Sequence, residues 1–142
     1  MFPLNYNMLF ADIELGGMSM ATKKVLIVDD NPNMSTLLSD ILEIFDYKGF
    51  HAGDGNEALE NLRKERFDLV FTDLRMPNMD GYDLLNAIKN EHPEIPVVVV
   101  TGYSVAHAQD QMLSRKADGF LHKPFKVEEI QNLLTELLGF SG

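Results

Sequence analysis

Cysteine is absent from this 142-residue sequence, and its absence excludes several kinds of chemistry. The protein has no disulfide framework, no thiol nucleophile and no cysteine-ligated metal centre. Basic residues are also few, with 12 Lys and Arg against 22 Asp and Glu and a formal net charge of -10. Because nucleic-acid binding usually needs a basic face, we expect no direct contact with nucleic acid. Such an acidic protein suits basic partners or cations.

Long apolar runs and a basic N-terminal start are missing as well. No stretch of the sequence is apolar over a length that could span a membrane. No Lys or Arg precedes Lys23, so the basic start of a secretory signal is absent. A cytoplasmic location without a membrane partner is therefore expected. The chain length fits one domain with room for a proper core.

Short apolar runs alternate with segments of helical periodicity five times along the chain. The predicted strands lie at residues 24–28, 47–52, 68–73 and 96–102 and within 119–125. Asn31 is expected to cap the first helix, with Pro32 at its first position. The fourth helix, around residues 105–116, is more polar than the others. Since parallel neighbouring strands need crossover helices, this alternation predicts an α/β fold with a parallel sheet covered on both faces.

Chemically active side chains stand at the ends of the predicted strands: Asp29, Asp30, Asp73, Thr101 and Lys123. Singly, such residues are usually helix caps or solvated turn residues. Jointly they would meet at one rim of the sheet if the strands are parallel and in register, and ligands bind at the carboxyl ends of such strands. Three crowded carboxylates repel unless a cation lies among them, and Mg²⁺ is the best candidate. With a lysine and a hydroxyl added, the pattern predicts a phosphoryl site with a carboxylate nucleophile.

Four stretches of the sequence resemble the receiver (CheY-like) domain of two-component response regulators. They are VLIVDDNP, DLVFTDLRMPNMDGYDLL, VVVVTGY and GFLHKPF, and the resemblance runs from about Lys23 to Leu138. It implies a flavodoxin-like, doubly wound fold of five strand–helix units, with a five-stranded parallel sheet in the order 2-1-3-4-5. The domain boundary is expected near Met20, with residues 1–20 as an N-terminal extension and 21–142 as the receiver domain.

The resemblance also implies a role for each residue of the acidic site. Asp73 would be the phosphoacceptor. Asp29 and Asp30 would hold Mg²⁺ together with Asp73, and the backbone carbonyl of Arg75 would be a further metal ligand. Arg75 and Tyr103 are predicted to overhang the phosphoryl group and to slow its hydrolysis, because neither side chain carries the carboxamide or acid that could orient a water.

The remaining implied roles concern the change of state on phosphorylation. Thr101 would bind a phosphoryl oxygen and move on activation, and Lys123 would pair with the phosphate. Phe120 stands at the switch position and would rotate inward behind Thr101. The Lys123–Pro124 peptide bond is usually cis in this family, a known use of proline in tight functional turns.

Two positions depart from the family pattern, and the histidines have no evident role. Gly49 stands where the second strand usually has an apolar residue, so that strand is expected to be weak or distorted. Asp46 replaces a glycine often found before the aromatic residue of that strand. The four histidines show no ligand spacing and are interpreted as surface residues: His51, His92, His107 and His122.

The first twenty residues lie outside the resemblance. Apolar side chains alternate there in a strand-like pattern, at Phe2, Leu4, Tyr6, Met8 and Phe10. One interpretation is an upstream start codon or an unstructured lead, with Met18 or Met20 as the true start. The other is an arm that packs on its own domain or on a second subunit, which would form a homodimer.

The leading functional hypothesis is a stand-alone receiver that accepts a phosphoryl group from a histidine kinase or phosphotransfer protein. It would signal by altered protein–protein contacts through the face of the fourth helix, fifth strand and fifth helix, to a target that the sequence does not name. It is expected to be a signalling module, not an enzyme beyond its own phosphotransfer and dephosphorylation. One alternative is a receiver fragment of a longer protein.

The rival hypothesis is a Mg²⁺-dependent phosphohydrolase that works through an aspartyl phosphate, as in the haloacid dehalogenase-like family. Such enzymes carry a second Asp two residues after the nucleophile, as general acid. Here Arg75 occupies that position and cannot donate a proton usefully. A degenerate receiver that binds partners without phosphorylation is disfavoured because every site residue is present.

Overall fold

A five-stranded parallel sheet is the main feature of the structure. The structure is a computed structural model, and it describes residues 14–15, 18–19, 22–74, 78–102 and 116–139. Its strands are β1 (Lys24–Val28), β2 (Lys48–Ala52), β3 (Leu69–Asp73), β4 (Val97–Thr101) and β5 (Gly119–His122). They lie in the order β2-β1-β3-β4-β5, which confirms the predicted topology. A small antiparallel pair, Glu14–Leu15 with Met18–Ser19, precedes this sheet.

Four described helices connect or follow these strands. They are α1 (Pro32–Ile44), α2 (Gly55–Lys64), α3 (Gly81–Glu91) and α4 (Val127–Leu138), the last of which is the predicted fifth helix. The Asn31 side chain accepts a hydrogen bond from the Asn33 amide and Pro32 opens α1, as predicted. The predicted fourth helix falls mainly on residues 103–115, outside the described residues. Each described helix is too short or too polar to cross a membrane.

The sheet separates two apolar clusters, because side chains of a strand point alternately to its two faces. Val25 and Ile27 of β1 belong to the cluster beneath α1 and α4. Leu26 and Val28 belong to the cluster beneath α2 and α3. All four side chains are at most 1% exposed, and full burial of such a side chain contributes about 1.5–3 kcal/mol. The strands are therefore apolar without alternation, and the prediction of helices on both faces is confirmed.

The edge strand β2 is regular, contrary to the expectation drawn from Gly49. It pairs with β1 in register over all five of its residues. A Cβ atom at Gly49 would lie 2.8 Å from the Ser39 Oγ, so glycine allows α1 to approach the strand closely. The other departure also has a structural reason, since Asp46 has φ 66°, in the left-handed region that glycine occupies most readily.

Gly81 sets the position of α3 against the end of β3. Its amide donates a hydrogen bond to the Leu74 carbonyl, 2.8 Å away. A Cβ atom at this position would lie 2.5 Å from the Asp73 carbonyl oxygen and 2.7 Å from the Leu74 Cα. Because both neighbours are main-chain atoms, they cannot move aside as a flexible side chain would.

We therefore expect Gly81→Ala to lower the free energy of unfolding by about 1–3 kcal/mol, the usual range for overpacking a close contact. The matched control is Gly53→Ala, because a Cβ atom there meets only the Glu57 Oε1 at 3.5 Å. Urea unfolding of both variants beside the wild type measures the effect. Equal stability of the two variants would contradict the close contact.

Candidate functional site: an acidic pocket at the strand ends

The ends of four strands bring the predicted site residues to one rim of the sheet. Main-chain pairing continues one residue beyond two of these strands, since the Asp29 amide donates to Ala52 O at 3.1 Å and the Lys123 amide donates to Thr101 O at 2.8 Å. Asp73 is the last residue of β3 and pairs with Val100 of β4. The backbone positions of these side chains are thus fixed by the sheet itself.

Three carboxylates converge at this rim, and we call the site that they form the acidic pocket. Asp29, Asp30 and Asp73 each place a carboxylate oxygen within 4.8 Å of the others. The Lys123 Nζ lies 3.9 Å from Asp29 Oδ2 and 3.8 Å from Asp73 Oδ2. These separations exceed hydrogen-bonding distance, so the lysine acts on the pocket as a positive point charge.

The two oxygens of the Asp29 carboxylate have different partners, and so do those of Asp73. Asp29 Oδ1 accepts a hydrogen bond from the Asn31 amide at 2.8 Å, and Asp73 Oδ1 accepts one from the Leu74 amide at 2.7 Å. The Oδ2 atom is the one nearer Lys123 in both residues. Local main-chain amides therefore orient both carboxylates and leave Oδ2 turned towards the lysine.

The electrostatic cost of this arrangement falls mainly on Asp29, which is only 3% exposed. Burial raises the pKa of the Asp29 carboxyl above its ordinary value of 3.8, and the nearby charges of Asp73 and Asp30 raise it further. The Asn31 amide and Lys123 act in the opposite direction without cancelling the effect. One lysine thus leaves the pocket with an excess of negative charge.

The donor set fits a hard divalent cation. Carboxylate oxygens from three residues within 4.8 Å of one another are the ligands that Mg²⁺ takes in proteins, together with water. Asp30 is exposed, so water has access to the pocket from that side. The Arg75 carbonyl, the further ligand expected from sequence, lies outside the described residues.

The residues predicted to change state lie on β4 and β5. Thr101 is 2% exposed at the end of β4 and pairs with His122. Phe120 pairs with Val99, is partly buried, and packs against the apolar cluster beneath α2 and α3. The Lys123–Pro124 bond is cis, as the resemblance implied. Tyr103, like Arg75, lies outside the described residues.

Sequence reasoning missed a hydrogen bond made by one of the histidines. His51 and His122 are exposed, as predicted, but the His51 Nε2 lies 2.8 Å from the carbonyl oxygen of Asp29. His92 is partly exposed, and its Nε2 atom is buried without a hydrogen-bond partner among the described residues. His107 lies outside the described residues. The available signal for His51 was its place at the penultimate position of the strand beside the acidic pair.

We expect Asp29→Asn to raise the melting temperature at pH 7 without divalent cations. Because the pKa of the Asp29 carboxyl is raised in the folded state, the protonated carboxyl favours folding below pH 3.8. This contribution to stability is lost as the pH rises through the folded-state pKa. Asparagine keeps an acceptor for the Asn31 amide and removes the charge, so its advantage should grow with pH across that window. Thermal melts from pH 3 to 8 measure it.

The control for this prediction is Asp40→Asn, which removes an exposed carboxylate of α1 outside the pocket. Saturating Mg²⁺ should reverse the order of the melting temperatures of the wild type and Asp29→Asn. The cation stabilises the wild type more, because only the wild type offers it all three carboxylates. A melting temperature of Asp29→Asn at or below that of the wild type in metal-free buffer would show that Asp29 is not a source of strain.

Comparison with known proteins agrees with this geometry. The family profile described as "Response regulator receiver domain" matches residues 25–135. The transcriptional regulatory protein ZraR of Klebsiella oxytoca is 38% identical over 114 residues, which cover 80% of this chain and 26% of that protein. This chain spans between about a quarter and a half of the length of the first curated relatives that it matches.

Solved structures give the same result. The chemotaxis protein CheY4 of Vibrio cholerae is similar at a TM-score of 0.75 with 31% identity, over 82% of this chain and 99% of that one. The response regulator TrrA of Thermotoga maritima, solved in complex with Mg²⁺-BeF, also has a TM-score of 0.75, with 30% identity over 82% of this chain and 99% of that one. This chain belongs to the response regulator receiver domain family of two-component systems, in which aspartate phosphorylation and Mg²⁺ binding at an acidic pocket are general features.

Proposed function

We propose that this chain is a phosphorylation-controlled receiver in which Asp73 accepts a phosphoryl group. The observation that carries the proposal is the convergence of the Asp29, Asp30 and Asp73 carboxylates within 4.8 Å, with the Lys123 Nζ 3.8 Å from Asp73 Oδ2. Receiver domains interact with histidine kinases or phosphotransfer proteins. The donor proposed here is therefore a phosphohistidine of such a protein.

Asp73 Oδ2 is the proposed nucleophile. The Leu74 amide occupies Oδ1, so Oδ2 keeps its electron pairs for attack on phosphorus. The O–P bond forms as the bond from phosphorus to the donor nitrogen breaks, and the imidazole leaves with the bonding electron pair. The Lys123 ammonium, already on the Oδ2 side, then pairs with a phosphoryl oxygen.

Asp29, Asp30 and Asp73 are the residues that would hold Mg²⁺, with the Arg75 carbonyl as a further ligand. When bound, the cation neutralises charge on the phosphoryl oxygens, which is its general contribution to phosphoryl transfer. Asp29 contributes through position as well as charge, because its Oδ1 is held by the Asn31 amide and its Oδ2 is turned into the pocket.

The proposed output is a change in protein contacts that begins at Thr101. Its hydroxyl gains a charge-assisted hydrogen bond to a phosphoryl oxygen only by moving towards it. Phe120 then rotates inward, which needs no new polar partner because phenylalanine has no hydroxyl. The surface proposed to change includes β5 and α4, together with the predicted fourth helix around residues 105–116, which lies mainly outside the described residues. The downstream target is a protein that recognises this surface.

The chain could work as a segment of a longer regulator or as a receiver without a further domain, and the relatives support both interpretations. Curated relatives such as ZraR are longer regulators, which fits the alternative that this sequence is the receiver segment of a longer chain. CheY4 is matched over 99% of its length, which fits a receiver that works without a further domain. We propose the second reading. In either case the chemistry at Asp73 is the same.

Substitution of Asp73 by Asn should abolish labelling by acetyl phosphate and Mg²⁺, because a carboxamide cannot form the acyl phosphate. Intact-protein mass spectrometry measures one added phosphoryl group per wild-type molecule. Asp40→Asn, which alters an exposed α1 residue outside the pocket, should label like the wild type. Undiminished labelling of Asp73→Asn would refute the assignment, and continuous release of phosphate by the wild type would favour the phosphohydrolase.

The lifetime of the phosphoryl group should depend on Arg75 and Tyr103, whose roles stay predictions because both lie outside the described residues. Neither side chain can orient a hydrolytic water as a carboxamide or acid does. We expect Arg75→Asn combined with Tyr103→Glu to shorten a lifetime of minutes to hours. Loss of label after removal of acetyl phosphate measures the rate. An equal or slower rate in the double variant would contradict this role.

A further inference from the structure

One edge of the acidic pocket is held by a side chain outside the predicted site. β1 and β2 run in register, with Ile27 opposite His51 and Val28 opposite Ala52. The ladder continues through the Asp29 amide, which donates to Ala52 O at 3.1 Å. After Ala52 the chain bends at residues 53–54 and enters α2. At this point the His51 side chain supplies a donor to the Asp29 carbonyl, one residue beyond β1.

The hydrogen bond identifies which ring nitrogen carries a proton. A carbonyl oxygen only accepts, so the His51 Nε2, 2.8 Å from Asp29 O, must be the donor. Both the neutral ring with its proton on Nε2 and the protonated ring satisfy this requirement.

Asp29 is consequently held at three atoms. Its amide is bonded to Ala52, its carbonyl to His51, and its Oδ1 to the Asn31 amide. The carbonyl of Asp29 lies in the same planar peptide unit as the nitrogen and Cα of Asp30. Holding that carbonyl thus fixes the plane from which the Asp30 side chain departs. Asp30 itself is exposed and is not fixed by burial.

We propose that His51 is a positioning residue of the acidic pocket, which sets the Asp29–Asp30 peptide plane and so directs the Asp30 carboxylate towards the cation. Its relevance to phosphorylation rests on the proposed function. The competing explanation is that the bond only completes the edge of the sheet. The two differ in one respect: a positioning residue changes the metal affinity of the pocket, whereas an edge bond changes stability alone.

Removal of the ring should not disturb the core, which makes the proposal testable. His51 is exposed, and it lines an open cavity of about 240 Å³ between α1 and β2, with Ser35 and Asp40 on the helix side. Leucine at position 51 removes the donor. Glutamine places an amide nitrogen the same number of bonds from Cα and keeps it. Lys48→Leu is the matched control, since Lys48 is an exposed residue of the same strand and makes no contact with Asp29.

The experiment is a Mg²⁺ titration of each full-length variant, followed by amide NMR signals of residues 29–31. We expect His51→Leu to weaken Mg²⁺ binding about three- to tenfold, the usual effect of one lost hydrogen bond. It should also shift the Asp30 amide signal in the metal-free protein. His51→Gln should stay within about twofold of the wild type, and Lys48→Leu should match it.

Wild-type Mg²⁺ affinity in His51→Leu, with or without a lower melting temperature, would overturn the positioning role in favour of the edge bond. An effect of equal size in His51→Gln would overturn it too, because the donor would then not be the cause. The proposed function is judged separately, by labelling of the wild type at Asp73. Should the wild type bind no Mg²⁺ at all, the positioning role would be overturned as well, because the pocket would then hold no cation towards which His51 could direct Asp30.

Discussion

Repulsion among three carboxylates at one rim of the sheet is the constraint on which the rest of the structure depends. The fold brings Asp29, Asp30 and Asp73 together because parallel strands end side by side, and the burial of Asp29 increases the cost of its charge. A native protein has only about 5–15 kcal/mol of net stability. The apolar clusters on both faces of the sheet must therefore stabilise a pocket that does not stabilise itself.

The supports of the pocket are mostly main-chain groups. Amides of Asn31 and Leu74 bind the carboxylates, and the close contact of Gly81 with the Asp73 carbonyl seats α3 against the end of β3. Main-chain atoms move less than side chains, so the carboxylates keep their places although they repel. Lys123 differs in kind, because it contributes charge from 3.8 Å without a direct hydrogen bond. It can thus exchange one anionic partner for another.

Much of the fold and the pocket could be predicted from sequence, and particular residues show why the rest could not. The bounds of β1 were predicted to the residue and those of β2 and β3 to within one, because apolar runs mark buried strands. The gathering of the carboxylates followed from parallel strand order. The contacts of Gly49 with Ser39 and of His51 with Asp29 did not, because they depend on helix–strand distance and on register, which periodicity does not report. Arg75 and Tyr103 lie outside the described residues and stay predictions.

The two carboxylate oxygens of Asp73 have different partners, so under the proposed function the acidic pocket can be approached productively from one direction only. With Oδ1 bound to the Leu74 amide and Oδ2 turned towards Lys123, the carboxylate is no longer a symmetric group, and in the proposed function it presents one oxygen to an incoming phosphorus. On that proposal, a donor protein has to match an angle of approach as well as a shape and a charge. Discrimination between cognate and foreign donors can then reside in how each one aims its phosphohistidine, even where the surrounding surfaces are alike.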